Sequence, residues 1–235
     1  MGNCGQVGKE FYIEDSGGGV IVSKDFLERL VDNIVKRSVS YYETTRDYAF
    51  RHRERSMHSV VCPSIADITH TFLMEYPLKR KPSGGEQQGG FVDYLISYRK
   101  CTFFMEFKHS FFAYRNAKNP RKNIITRFQS ALDQLRSIRK NEYWGLGRKD
   151  QWVDKLAFEA IVFYKGSKNK IYMSDLRGES FKSSFSELMK NKEWNSLKPN
   201  LQALWILNKR LVKPVEFSNG YEIYPAVAFV GKVIL

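Results

Sequence analysis

FVDYLISYRKCTFFMEFKHS, residues 91–110, sets the architecture of this chain. It reads as two strand-like runs, 91–97 and 102–109, around the basic pair Arg99-Lys100. Alternate residues of a strand share a face. Glu106 and Lys108 therefore point one way, and Phe103, Met105 and Phe107 the other. If the runs pair as an antiparallel hairpin with Arg99-Lys100 at its tip, opposed residue numbers sum to 199 and Asp93 faces Glu106.

Cross-strand partners bring their Cβ atoms to about 4.5–5.5 Å, and two carboxylates that close repel unless a cation lies between them. A divalent ion meets that need, since magnesium binds through one or two carboxylates, water and substrate phosphate oxygens. Lys108, on the same face, is placed to orient or deprotonate a water or to hold negative charge on a phosphate. Arg-Lys is not a favoured two-residue turn. A four-residue loop preserves the pairing sum, whereas a shift of one puts Asp93 and Glu106 on opposite faces. The plainer alternative is an amphipathic hairpin whose charges face solvent, with Lys108 neutralising Glu106.

Towards the N-terminus, residues 1–22 look irregular and Gly-rich, and DSGGGVIVSK lacks the ending of a phosphate-binding loop. Ser23 is placed to cap a helix over KDFLERLVDNIVKR, where Phe26, Leu27, Leu30, Val31, Ile34 and Val35 recur at helical spacing. The pattern fades through RDYAFRHRERS, and Pro63 opens a second expected helix, PSIADITHTFLMEY, ended near Pro77. KRKPSGGEQQGG is a loop by composition. After the hairpin come a basic loop, YRNAKNPRKN, and a helix over IITRFQSALDQLRSIRK. LAFEAIVFYKG and YEIYPAVAFVGKVIL read as strands, FSELMK as a helix, and NLQALWIL is ambiguous. This order predicts an α/β sheet flanked by helices.

The chain has 235 residues, enough for a real core, and is 43% hydrophobic, which excludes a disordered chain. Its 38 lysines and arginines against 25 acids give a net charge of +13. Such an excess predicts an anionic partner, nucleic acid first and an anionic membrane surface second. Residues 113–149 hold ten of the basic residues, Arg115, Lys118, Arg121, Lys122, Arg127, Arg136, Arg139, Lys140, Arg148 and Lys149, against Asp133 and Glu142. Tyr114, Tyr143 and Trp144 are interleaved with them, a composition suited to a phosphate backbone with aromatics for sugars or bases. A second basic group, Arg46, Arg51, His52, Arg53 and Arg55, lies in the first helical region. The alternative for both groups is a solvated helix face.

No apolar run reaches a membrane span, and MGNCGQVGKE has neither a signal-peptide core nor, with Gln6, a myristoylation site. Cys4, Cys62 and Cys101 are scattered and suit a reducing cytoplasm, and the four histidines show no zinc-ligand spacing.

Glu75 on its expected helix, then GFVDYLI, then FFMEFKHS, then a helix with QSALDQL resemble the PD-(D/E)xK nuclease superfamily, the restriction-endonuclease-like fold. The resemblance covers about residues 64–165 and departs at Val92, where a proline is usual. It implies an acid on one strand and Glu-x-Lys on the next, assisted by a carboxylate on the first core helix and a glutamine on the following one. Carried over, Asp93, Glu106 and Glu75 become metal ligands, Lys108 the catalytic lysine, and Gln134 rather than Gln129 the helix glutamine. A glutamate at a helix C-terminus is mildly disfavoured by the dipole, which hints at a compensating role for Glu75.

The expectation is a helical N-terminal segment, residues 1–60, before an α/β restriction-endonuclease-like mixed sheet flanked by helices, residues 61–235. The implied activity is magnesium-dependent hydrolysis of DNA, with manganese able to substitute, in restriction, repair, recombination or phage defence. DNA would lie on Arg115, Lys118, Arg121, Lys122, Arg127 and Arg136. The expected setting is cytoplasmic, without membrane association, with a homodimer allowed. The competing readings are a non-catalytic nucleic-acid-binding protein that keeps the fold, and a basic component of a larger assembly.

Overall fold

The computed structural model describes residues 5–11, 18–80, 85, 86, 88–113, 122–139, 152–171 and 178–234. Helix α1 (Gly18–Thr45) buries Phe26, Leu27, Leu30, Val31, Ile34 and Val35, the stripe read from the sequence. It starts earlier and ends later than expected. Ser23 is not its cap but lies inside it, buried, and its Oγ donates to Asp154 Oδ2 at 2.6 Å. Residues 1–22 are not wholly irregular either, because Gly5–Phe11 form a strand, β1. Helix α2 (Glu54–Ala66) begins well before Pro63, which lies inside it.

Strands β2 (Phe72–Arg80), β3 (Gln88–Tyr98) and β4 (Cys101–Ala113) form an antiparallel meander. Helix α3 (Lys122–Arg136) then precedes β5 (Trp152–Ser167), which pairs parallel with β4. A parallel neighbour requires such a crossover. Helices α4 (Gly178–Lys190) and α5 (Lys192–Leu197) follow, then β6 (Leu201–Leu207), the short β7 (Val215–Phe217) and β8 (Gly220–Ile234). The described strands make one eight-stranded mixed sheet in the order β1-β6-β8-β5-β4-β3-β2, with β7 beside β8. The protein is thus α/β, with α1 and α2 on one face of the sheet and α3, α4 and α5 on the other. Central strands buried on both faces read as near-continuous apolar runs, and the middles of β4 and β5 do so, with Glu106, Lys108 and Glu159 as charged interruptions.

The expected helix over residues 63–76 is overturned beyond Ala66. Ile65, Ile68 and Phe72 mimic helical spacing, but the backbone after α2 is drawn into the sheet. Thr69 Oγ1 donates to the Ser97 carbonyl at 2.7 Å, and the Ser97 N–H donates to the Thr71 carbonyl at 2.8 Å. Pairing across the sheet outweighs local propensity here. Pro77 is tolerated because β2 is the last strand of the sheet.

This hairpin also changes face. Phe72, Tyr94 and Ile96 pack on the α1–α2 side, whereas Tyr76, Leu78 and Val92 pack on the α3 side. At the crossover Glu75 has a φ of 50°, in the left-handed region, and the Glu75–Asp93 pair drops out of an otherwise constant register. The outer end of β2 consequently leans over α3, where Arg80 bridges to Ile138.

Candidate active site

The β3–β4 register is the one the hairpin arithmetic requires, with Tyr98 opposite Cys101 and Tyr94 opposite Met105. The turn is two residues rather than four, and Arg99 takes its strained position with a φ of 52°. The ladder ends at Tyr94–Met105, one step before Asp93 and Glu106 would meet. Past that point β4 has an open edge on the β3 side, and side chains occupy it. Asp93 Oδ2 accepts the Phe107 N–H at 2.7 Å, Glu54 Oε2 accepts the His109 N–H at 3.2 Å, and Arg127 donates to the His109 carbonyl at 2.8 Å. The parting of two strands therefore forms a notch lined by carboxylates.

Within it Lys108 Nζ lies 3.4 Å from Glu106 Oε2 and 3.7 Å from Asp93 Oδ2. Those two distances cap the separation of the carboxylates, so Asp93, Glu106 and Lys108 form one group, as the hairpin reading expects. On its other oxygen Glu106 meets Arg80 at 2.5 Å, and Arg80 also donates to the Phe91 carbonyl. Glu106 is almost fully buried, at 3% side-chain exposure, while Asp93 keeps 27%. Burial, and after it the charge of Asp93, push the Glu106 carboxyl up to about 7 despite its two cationic partners.

A second buried carboxylate adjoins the group. Glu159 on β5 is the parallel-register partner of Lys108 and is fully buried. Ser110 Oγ donates to its Oε1, and its Oε2 has no hydrogen-bond partner among the described residues. Burial pushes this carboxyl up to about 8. At neutral pH it is a neutral acid, opposite Lys108 in the β4–β5 register. Conversely, burial lowers His109 to about 4, so its ring is neutral where Nε2 meets the Phe50 carbonyl at 2.8 Å.

The remaining expected residues divide. Glu75 is not a helix carboxylate: it lies exposed on β2, and among the described residues no hydrogen bond or ion pair ties it to the group. Glu54, at the start of α2, is the helix carboxylate that does reach the notch. Gln134 is on α3, as expected, and lines a cavity with Arg80. Gln129 lines the same cavity but is engaged with Asp133 at 2.7 Å. Of the expected DNA contacts, Arg115, Lys118 and Arg121 lie outside the described residues, and Lys122 is described only as the first residue of α3. Arg127 is committed to the His109 carbonyl and faces Glu54 at 3.8 Å, and Arg136 pairs with Asp133 at 3.2 Å.

Glu54, Arg80 and Glu159 were missed by sequence reasoning. Glu159 alone left a signal, a lone acid inside the apolar run LAFEAIVFYKG.

Among the described residues no group of three or more His, Cys, Asp or Glu side chains is arranged as a metal cage. The donor chemistry nevertheless fits a hard divalent cation: Asp93 and Glu106 offer carboxylate oxygens to one notch, the partial exposure of Asp93 gives access, and Lys108 already occupies a cationic position between them. No described helix is long and apolar enough to cross a membrane. Compared with known proteins, the chain matches no family model, no curated protein and no solved structure.

Proposed function

We propose that the protein is a metal-dependent nuclease that hydrolyses phosphodiester bonds of DNA, on a restriction-endonuclease-like core of the PD-(D/E)xK type. The observation that carries this reading is the convergence of Asp93, Glu106 and Lys108 where β3 parts from β4. The excess of 38 basic residues over 25 acidic ones supports a polyanionic substrate.

Asp93 and Glu106 would hold magnesium, or manganese in its place, with Glu54 the next carboxylate along the β4 edge. When bound, such an ion lowers the pKa of water and withdraws charge from the phosphate oxygens. The chain's own residues supply the rest. The Phe107 N–H fixes one oxygen of Asp93 and leaves the other for a ligand. Lys108 Nζ, released from the carboxylates, orients the attacking water and holds the negative charge on the phosphate oxygens. The burial of Glu106 and Lys108 excludes bulk water and strengthens these interactions.

A second reading has one observation in its favour. Arg80 and Lys108 already neutralise Glu106 and Asp93, as in a self-satisfied ionic cluster of a non-catalytic nucleic-acid-binding protein. Plasmid nicking in magnesium and manganese separates the two readings. A nuclease loses at least about 10²-fold of its cleavage in both Glu106→Gln and Lys108→Ala, while each variant still folds and binds DNA. Wild-type protein that cleaves no DNA or RNA, single- or double-stranded, rejects the enzyme. Cleavage unchanged in Glu106→Gln rejects this site.

A further inference from the structure

The proposed catalytic group leaves one neighbouring acid without a task. Glu159 is fully buried on β5, and its Oε2 has no hydrogen-bond partner among the described residues. Native proteins rarely leave a buried polar atom so. Val230, its partner on β8, is apolar, and Ser110 already serves the other oxygen, Oε1. From α3, Arg127 is committed to the His109 carbonyl and faces Glu54, the acid that α2 supplies. Lys108 is aligned with Glu159 in the parallel β4–β5 register. Both belong to the α3 side of the sheet, in the rows of Phe104 and Phe112 on β4 and of Ala157 and Ile161 on β5. Adjacent strands run about 4.8 Å apart, and a lysine ammonium ends a flexible four-carbon stem, so Nζ can reach Oε2.

Lys108 also has a reason to move. Its Nζ sits 3.4 Å from Glu106 and 3.7 Å from Asp93, the two carboxylates that would take up a divalent cation. Two cations that close repel, and a buried ammonium without a counter-charge is costly. We propose that Glu159 is a positioning residue: when Asp93 and Glu106 take up a metal ion, Lys108 Nζ leaves them and pairs with Glu159 Oε2. This rests on the nuclease reading and deepens it, since it names what holds the lysine once it is released. Before the exchange Glu159 is a neutral acid, raised to about 8 by its burial. Pairing therefore breaks its O–H bond and passes the proton to solvent, while Lys108 remains an ammonium. Metal uptake thus releases a proton from a residue that is not a ligand.

The test counts protons and needs no substrate. Manganese is added to the intact protein at pH 7 in a pH-stat, which measures the protons released, while electron paramagnetic resonance measures the ion left free. Glu159→Gln should release about one proton fewer per bound ion than wild type. Glu106, raised to about 7, contributes to both proteins and cancels. The same comparison is repeated on Lys108→Met and on Lys108→Gln, either of which removes the ammonium, with urea denaturation to check folding. There the difference should vanish. A Glu159 ionised by the field of the metal alone would keep the difference in those backgrounds, and a merely structural Glu159 would show none in the first comparison; either result overturns the proposal. If manganese binds with equal proton counts in wild type and Glu159→Gln, this inference alone fails and the metal site stands. If no manganese binds, the nuclease reading falls and takes the inference with it.

Discussion

Asp93 Oδ2 accepts the backbone N–H of Phe107 at 2.7 Å, at the step where β3 leaves β4. The carboxylate thus closes an interrupted ladder as well as facing Lys108, and the two roles separate by substitution. Asp93→Asn keeps an acceptor for Phe107 but loses the charge. It should stay within about 0.5 kcal/mol of wild-type stability and lose at least about 100-fold of magnesium-dependent cleavage, more than an outer-shell change costs. Asp93→Ala strands a backbone N–H and should cost about 1–3 kcal/mol in urea denaturation. Full activity in Asp93→Asn would leave this residue a structural cap only.

Glu54 makes the same kind of contact one repeat along the strand, at the His109 N–H. Phe107 and His109 are two residues apart on one edge, so their acceptors are about 6.6 Å apart by strand rise. If Glu54 belongs to the site, Glu54→Gln should fold normally, still accept from His109, and cleave at least about tenfold more slowly. Calcium, which competes for the same oxygen ligands, should inhibit the wild type. Wild-type rates in Glu54→Gln would assign Glu54 to ladder closure and to the Arg127 contact alone.

What was legible in the sequence follows from range. The hairpin register could be read because a short turn fixes the parity of both strands, and Asp93, Glu106 and Lys108 came with it. Helix α1 was legible through a stripe of six buried apolar residues. Strand β2 was not, because Ile65, Ile68 and Phe72 imitate helical spacing and Pro77 argues against a strand. Only the partner strand, supplying Ser97 and Val92, makes the segment extended. Glu54 and Arg80 were invisible for the same reason: their partners, His109 and Glu106, lie far along the chain and meet them only when α2 and β2 pack around β4.

The basic surface needs a test that spares structural arginines. Arg127 holds the His109 carbonyl, so its removal would confound folding with binding. Arg121, Lys122 and Arg136 replaced together by Ala should leave the melting temperature unchanged. The same variant should weaken DNA binding and reduce the log–log salt slope by up to about 0.9 for each phosphate that is no longer neutralised. Fluorescence anisotropy at several salt concentrations measures that slope. An unchanged slope would move the DNA path to the arginines that follow α1, such as Arg53 and Arg55.

Glu159 gives the last prediction, one that needs no substrate. Its carboxyl is fully buried and its Oε2 has no partner among the described residues, and burial raises it from 4.5 to about 8. A carboxyl raised in the fold is bound to its proton more tightly there than in the unfolded chain. Its stabilising contribution is complete below pH 4.5, declines as pH climbs, and is gone above about pH 8. Glu106, raised to about 7, adds a similar decline over a lower window. Wild-type stability should therefore fall from pH 5 to pH 9 in metal-free buffer, by a few kcal/mol in order of magnitude. Glu159→Gln mimics the protonated acid and cannot ionise. It should match wild type near pH 5, fall less steeply, and be the more stable protein at pH 9, with the Glu106 contribution common to both. Urea denaturation at pH 5, 7 and 9 reads the difference. Parallel curves for the two proteins would mean that Glu159 ionises in the fold without penalty, held as an ion pair by Lys108.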